Sequence, residues 1–389
     1  MIPIGDDATD RARRLRDAAV ADPEGVALED AVELLVLGDP ETRRLAMACL
    51  EDTLEARPGA SAAAVTAFER LLEDDDPHVR RRAALSAGAA IENGAEPFAP
   101  LVPTLEPIAA DPAEPGRDAA VRALSALALE CPDAMTDAVD PLLDACHARI
   151  VSDTASHETD RPRDDGAPSA VGPERDRRTA TRVQATAALT RIAAERPGAA
   201  VDRVERVAAL LEDDHHLVRA GACEVLESLA EWDPAAVEPF VPALVDRLES
   251  DTDHPVPWRA ADALNAVGEE YPVRVGEELR DALRKLAAFL DRRDPGIRGI
   301  GVGLLAYVAQ ADPEAVEDTV PRVRELLEDD HAPVRANAAL TLGLADREEA
   351  VDALESLAAD DPDGAVRDAA ARALERIESE RSRVGETTK

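Results

Sequence analysis

Nine arginines, Arg43, Arg80, Arg117, Arg182, Arg219, Arg259, Arg298, Arg335 and Arg367, stand in similar local patterns separated by 37, 37, 65, 37, 40, 39, 37 and 32 residues. Such a period marks a stack of supersecondary units rather than ordinary globular domains, because each unit can bury its apolar face only against its neighbours. The one long interval is an ordinary interval carrying an insertion. Each arginine follows an acidic turn and opens an apolar stretch of helical period, as in DDDPHVRRRAALSAGAAI and DDHAPVRANAALTLG, with Leu226, Leu342 and Leu374 each seven residues on. This stretch is the second, inner helix of a pair, started by Asp or Pro at cap and first-turn positions.

A proline ends that helix fifteen residues after the arginine at Pro58, Pro132, Pro197, Pro234 and Pro313, and Pro97 and Pro272 fall close to the same place. Proline lacks the backbone donor and pushes its predecessor out of helical geometry, so a periodic proline is a periodic terminator. The next amphipathic run, for example AVDRVERVAALLE, is the first helix of the following unit. Pro103, Pro141, Pro242 and Pro321 lie near the start of such runs and predict a kinked outer helix.

With its two-helix unit, its proline in the first helix and its Asp six residues before Arg, the chain resembles the HEAT-repeat family, including the short bilin-lyase-like variant. The spacing occurs at Asp74/Arg80, Asp111/Arg117, Asp176/Arg182, Asp213/Arg219, Asp253/Arg259, Asp329/Arg335 and Asp361/Arg367, and is missing at Leu37 and Arg292, where a ladder of such pairs would break. The expected fold is all-α, a right-handed α-solenoid (superhelix) of about nine two-helix repeats. Expected boundaries are an N-terminal capping helix in 1–25, three repeats and the first helix of the fourth in 26–151, a disordered polar insertion at 152–176, the remaining repeats in 177–380, and a flexible tail at 381–389. The insertion is rich in Pro, Gly, Ser, Asp and Arg and lacks the apolar period needed to order itself.

Composition narrows the rest. Aromatic residues make up 2% of the chain and hydrophobic ones 45%, so the core is built from Ala, Leu and Val on many thin helix interfaces. The formal net charge is -37, and Lys285 and Lys389 are the lone lysines among 44 basic residues. Self-repulsion of that size calls for screening by molar salt, as in the cytoplasm of a halophilic archaeon. Cys49, Cys131, Cys146 and Cys223 form no C-x-x-C pair and read as reduced, buried thiols. No apolar run spans a membrane and the first residues carry no secretory h-region, so a cytoplasmic monomer is expected.

The periodic Asp and Arg read first as structure, since the planar guanidinium fork can bridge carboxylates of adjacent turns. The Asp/His turns at His78, His215, His216, His254 and His331 could in principle hold a metal. Neighbouring repeats set them about 10 Å apart, too far to share an ion. Resemblance to HEAT-type di-iron hydroxylases would imply paired His-Glu motifs, and the sole His-Glu is His157-Glu158, inside the insertion. There is no phosphate-cradling glycine motif, nucleophile elbow or H-E-x-x-H, so no enzyme, cofactor or metal is expected. Trp232 and Trp258 are expected to pack between repeats. Arg43, Arg44, Arg80, Arg81, Arg82, Arg117, Arg122, Arg177, Arg178 and Arg182 could form a basic trough for nucleic acid, but the net charge and the lack of aromatic stacking platforms argue against it. The reading is a non-catalytic scaffold or adaptor that binds a protein partner along its concave face, through residues such as Arg81, Arg122 and Asn337. The alternatives are a bilin-lyase-like or other enzyme-associated protein, and a nucleic-acid binder.

Overall fold

The computed structural model describes residues 6–22, 25–56, 61–92, 96–135, 138–147, 171–253 and 255–387, and no strand occurs among them. They divide into two compact units, one reaching to Ala200 and one starting at Val201. In the first unit α1 (Asp6–Ala21) lies on the pair α2 (Leu28–Leu37) and α3 (Pro40–Ala56), and further pairs follow: α4 (Ser61–Leu72) with α5 (Pro77–Glu92), α6 (Val102–Ala110) with α7 (Arg117–Glu130), and α8 (Val139–Cys146) with α9 (Val171–Glu195). In the second unit α10 (Val204–Ala209) pairs with α11 (His216–Trp232). The short α12 (Pro234–Val237) leads into α13 (Val241–Ser250), which pairs with α14 (Val256–Glu270). Then α15 (Pro272–Glu278) and α16 (Leu283–Leu290) pair with α17 (Pro295–Ala311), α18 (Val320–Glu325) with α19 (Ala332–Leu344), and α20 (Val351–Asp360) with α21 (Gly364–Thr387).

Within each unit second helices stack on second helices, α5 on α7 on α9 and α17 on α19 on α21, which makes each unit an α-solenoid of HEAT/armadillo type. The core is thin and aliphatic. Ala119, Ala120, Ala123, Leu124 and Leu127 of α7 are buried, and Leu226 and Leu342 are fully so. A fully buried Leu contributes about 1.5–3 kcal/mol, so the stack sums many small interfaces. Phe68 and Phe98 make an edge-to-face pair with centroids 6.1 Å apart.

The periodic prolines do what local sterics require. Helices α7, α9, α11, α14 and α17 end at residues 130, 195, 232, 270 and 311, each two residues before the terminating proline. Pro132, Pro197, Pro234 and Pro272 then open the next short helical segment, where a missing N–H costs nothing. The shortest interval uses another device: Asp346 adopts φ 53°, and the Arg347 N–H bonds the Leu342 carbonyl at 3.1 Å, closing α19 without proline.

Three expectations need correction. Pro103, Pro242 and Pro321 occupy the second residue of α6, α13 and α18, directly after 3-10 turns at Glu96–Leu101, Glu238–Phe240 and Glu317–Thr319, rather than kinking a continuous helix. Pro141 is the third residue of α8. A first-turn proline removes no intrahelical bond, so the break falls at the 3-10/α junction. The expected insertion 152–176 overlaps α9, which begins at Val171: past Pro168 the run of Glu, Asp and Arg favours helix, and Pro173 is tolerated in the first turn. Residues 152–170 of that insertion lie outside the described residues. The expected tail 381–389 is helical through Thr387, Gly385 included, and Arg381 bonds Glu348 of the preceding segment at 2.7 Å. No described helix is long and apolar enough to cross a membrane.

Candidate functional site

The repeated arginines build the seams between repeats, by a route that the Asp-x5-Arg spacing did not foretell. In every well-formed rung, Nη1 of the arginine donates to the backbone carbonyl six residues earlier: Arg80 to Asp74 at 2.7 Å, Arg219 to Asp213 at 2.8 Å, Arg335 to Asp329 at 2.7 Å and Arg367 to Asp361 at 2.7 Å. The remaining fork reaches forward to a carboxylate of the next repeat. Arg219 donates through Nε and Nη2 to Asp251 at 2.6 and 3.0 Å, Arg298 to Asp329 at 2.8 and 3.0 Å, and Arg335 to Asp361 at 2.8 and 3.0 Å. Each Asp also accepts from the amide two residues on, as Asp213 does from His215 at 2.8 Å, and so fixes its own turn.

The pairing is therefore between repeats through side chains and within repeats through backbone. Because the in-repeat bond uses a carbonyl, Arg292 serves it as well as Asp would: Arg298 bonds the Arg292 carbonyl at 2.9 Å. Asp251, not Asp253, is the rung acid of its repeat, since the turn before Arg259 is longer, and Asp253 adds a single contact to Arg219 at 2.8 Å. Arg80 takes Glu114 at 2.6 Å instead of Asp111, which caps Ala113, and Arg117 donates to the Ala109 carbonyl at 3.0 Å. Arg182 is buried, and the side chain of Asp176 lies outside the described residues. Burial works against the Asp251 and Asp329 carboxylates, yet the facing guanidinium and a backbone amide hold both below the usual range. Arg335 does the same for Asp361.

These contacts also sort the candidate partner-binding residues. Arg81 is exposed on α5. Arg122 stands 3.9 Å from Glu92, both half in solvent. Asn337 donates to the Gly299 carbonyl at 3.0 Å and thereby ties α19 to α17, so it packs repeats before it can meet a partner. The histidines serve turns: Nδ1 of His215 accepts from the Leu217 amide at 3.3 Å with the His216 ring stacked on it at 4.9 Å, and His331 lies 3.5 Å from Asp329. His254, His157 and Glu158 lie outside the described residues. Among the described residues no group of His, Cys, Asp and Glu is arranged to hold a metal ion. Burial pushes the Cys223 thiol up to about 12, which makes it an inert core residue.

What the repeat pattern concealed is an acidic groove of about 390 Å³ between α11 and α14. Glu227 and Glu231 stand one turn apart on α11, while Asp262, Asn265 and Glu269 follow helical spacing on α14, so the packing of the two helices sets two carboxylate rows face to face. No cation lines the groove; the neighbouring Arg259 stands 3.6 Å from Glu224. Burial, then the charge of Asp262, push Glu227 up to about 7, and burial raises Asp262 as well. At the end of α11 Trp232 is 64% exposed, contrary to the expected packing role, because Pro234 turns the chain away before a neighbour can cover the ring. Trp258 is half-buried beneath the Arg292 guanidinium, 5.9 Å from its ring centroid. The sequence signal for the groove was the spacing of Glu227, Glu231, Asp262 and Glu269, which a chain this acidic hides among many other carboxylates.

Residues 283–375 match the family model described as HEAT repeats. Over 96% of both chains the structure is similar to that of an engineered protein, with 22% identity and a TM-score of 0.65. A designed armadillo repeat protein is similar over 51% of this chain and 94% of its own, with 20% identity and a TM-score of 0.43. Kap121p bound to RanGTP is similar over 96% of this chain and 44% of its own, with 16% identity and a TM-score of 0.44. No curated protein matches the chain. The fold is thus that of a HEAT-type solenoid, an architecture that is typically non-catalytic.

Proposed function

We propose that this chain is a non-catalytic scaffold or adaptor that holds a protein partner along the concave, second-helix side of its solenoid, with the groove between α11 and α14 taking a basic segment of that partner. The observation that carries the reading is the pair of facing carboxylate rows, whose lining includes no cation among the described residues. Arg259 offsets part of the cost of these half-buried carboxylates, yet burial still raises Glu227 and Asp262, and a Lys- or Arg-bearing segment would relieve the remainder on binding. The exposed Trp232 beside the groove adds the kind of amphipathic anchor that concentrates binding energy. The same reading makes the protein a cytoplasmic monomer that uses no cofactor.

The arginine-rich helices of the first unit give less support to nucleic acid. Arg80 and Arg117 are engaged by Glu114 and by backbone carbonyls, and Arg182 is buried.

Binding of a fluorescent Lys/Arg-rich peptide in molar KCl tests the proposal. Glu227→Gln, Glu231→Gln, Asp262→Asn and Glu269→Gln together should weaken binding by roughly tenfold or more, since each desolvated charge pair is worth about a kcal/mol. An equal number of neutral substitutions at the exposed Asp352, Glu355, Glu375 and Glu378 should leave it nearly unchanged. Equal losses from the two sets would reduce the effect to bulk charge and overturn the reading.

A further inference from the structure

The rungs that brace the second unit are interrupted once. Arg219 locks α11 to the repeat of α14, Arg298 locks α17 to that of α19, and Arg335 locks α19 to that of α21. Between α14 and α17 the position six residues before the next repeat arginine, which carries the accepting carboxylate in the rungs of Arg298 and Arg335, is Arg292, a cation in place of an acid. Arg259 turns back to Glu224 at 3.6 Å, and Arg292 settles over the face of Trp258. The helices reflect this: α14 packs more sparsely on α17 than the other successive second helices of this unit pack on one another.

The opposite end of the same seam is pinned. The Tyr307 ring of α17 fills a notch against Gly268 of α14, where a Cβ would lie 2.2 Å from the ring, and the Tyr307 carbonyl sits where a Cβ on Gly276 of α15 would lie 2.0 Å from it. The Tyr307 hydroxyl reaches Asn265 Oδ1 at 3.3 Å. A seam held tightly at one end, and at the other by a cation–π contact in place of a bidentate ion pair, bends about the tight end.

We propose that the seam between α14 and α17 is a built-in hinge that pivots on Tyr307 and opens at the Arg259/Arg292 end, letting the repeats of α11 and α14 move as one body against those of α17, α19 and α21. Asn265 and Glu269, which line the acidic groove, sit beside the pivot, so the motion changes how that groove continues along the unit. The hinge stands on seam geometry alone and does not depend on what the groove binds.

Hydrogen exchange of the whole protein in molar KCl tests it. Amides in the first half of α14 and of α17, on the Arg259/Arg292 side, should exchange through an opening that leaves α11, α19 and the Tyr307 end of the seam protected. Arg292→Asp sets a carboxylate opposite Arg259 and should slow that opening by roughly tenfold, the effect of one charge-assisted bidentate pair. The double variant Arg259→Met/Arg292→Asp should lose the gain. Equal protection of the seam and of α19 in the unaltered protein overturns the hinge, whether or not the variants fold. Slowing that survives in the double variant, or no slowing in the single one, removes the missing rung as its cause and also overturns it.

Discussion

Arg219→Met offers the most direct measure of what a rung contributes. Its side chain is 10% exposed and that of Asp251 3%, and the pair is bidentate at 2.6 and 3.0 Å. Methionine keeps most of the aliphatic volume, so the loss is that of leaving a buried carboxylate with the Asp253 amide at 2.9 Å and the more distant charge of Arg247. Breaking a buried pair from one side costs about 3–5 kcal/mol, and the surviving amide bond places the expectation near the lower end. For a cooperative unit of this size that is a fall in Tm of about 6–12 °C. Thermal melts in molar KCl at neutral pH measure it, because salt of that strength screens exposed pairs far more than this one. The pH dependence has a definite sign. The folded Asp251 is held below its ordinary value, so the stabilisation is present above the unfolded pKa and is lost as pH falls through the folded one. Wild type and variant should therefore converge below about pH 4. In a cycle with Asp251→Asn the two losses should be strongly non-additive. A fall in Tm of under about 2 °C, or additive losses, would refute the idea that this fork holds successive repeats together.

Glu227→Gln should stabilise the protein by about 1 kcal/mol near pH 8, a figure already discounted for partial solvent access, and by nothing near pH 4. The folded Glu227 titrates at about 7, so its penalty grows as pH rises from the unfolded value towards 7; an identical effect at both pH values would contradict the burial assigned to the groove. Gly276→Ala forces a Cβ to within 2.0 Å of a backbone carbonyl that cannot yield, and urea melts should show a loss of about 3 kcal/mol. Gly303→Ala meets the ends of two side chains, the Asn337 amide at 3.2 Å and Asn265 Oδ1 at 3.7 Å, and should lose under about 1 kcal/mol. With a net charge of -37, the Tm should climb across a potassium chloride series up to molar salt, and a flat profile would rule out charge screening as a condition of folding.

The period, the helix pairs and their ends were legible in the sequence because they depend on local physics. A proline ends a helix wherever it stands, and an apolar stripe at helical spacing asks for a neighbour in any context, so Pro132, Pro197, Pro234 and Pro272 mark their boundaries without reference to the rest of the chain. The partner of each arginine was not legible in the same way. Asp and Arg six residues apart look like a pair, but the turn brings the arginine to the aspartate's carbonyl and leaves its carboxylate free for the preceding repeat. Which carboxylate that is depends on stacking distance, as Glu114 and Asp251 demonstrate. The acidic groove and the unbraced seam also belong to the tertiary structure. Glu227 and Asp262 are ordinary acidic residues until α11 lies along α14, and Arg292 is an ordinary arginine until it stands where its neighbours carry an acid. Helix periodicity is written within one turn, whereas charge compensation is decided by what the next repeat places a few ångströms away.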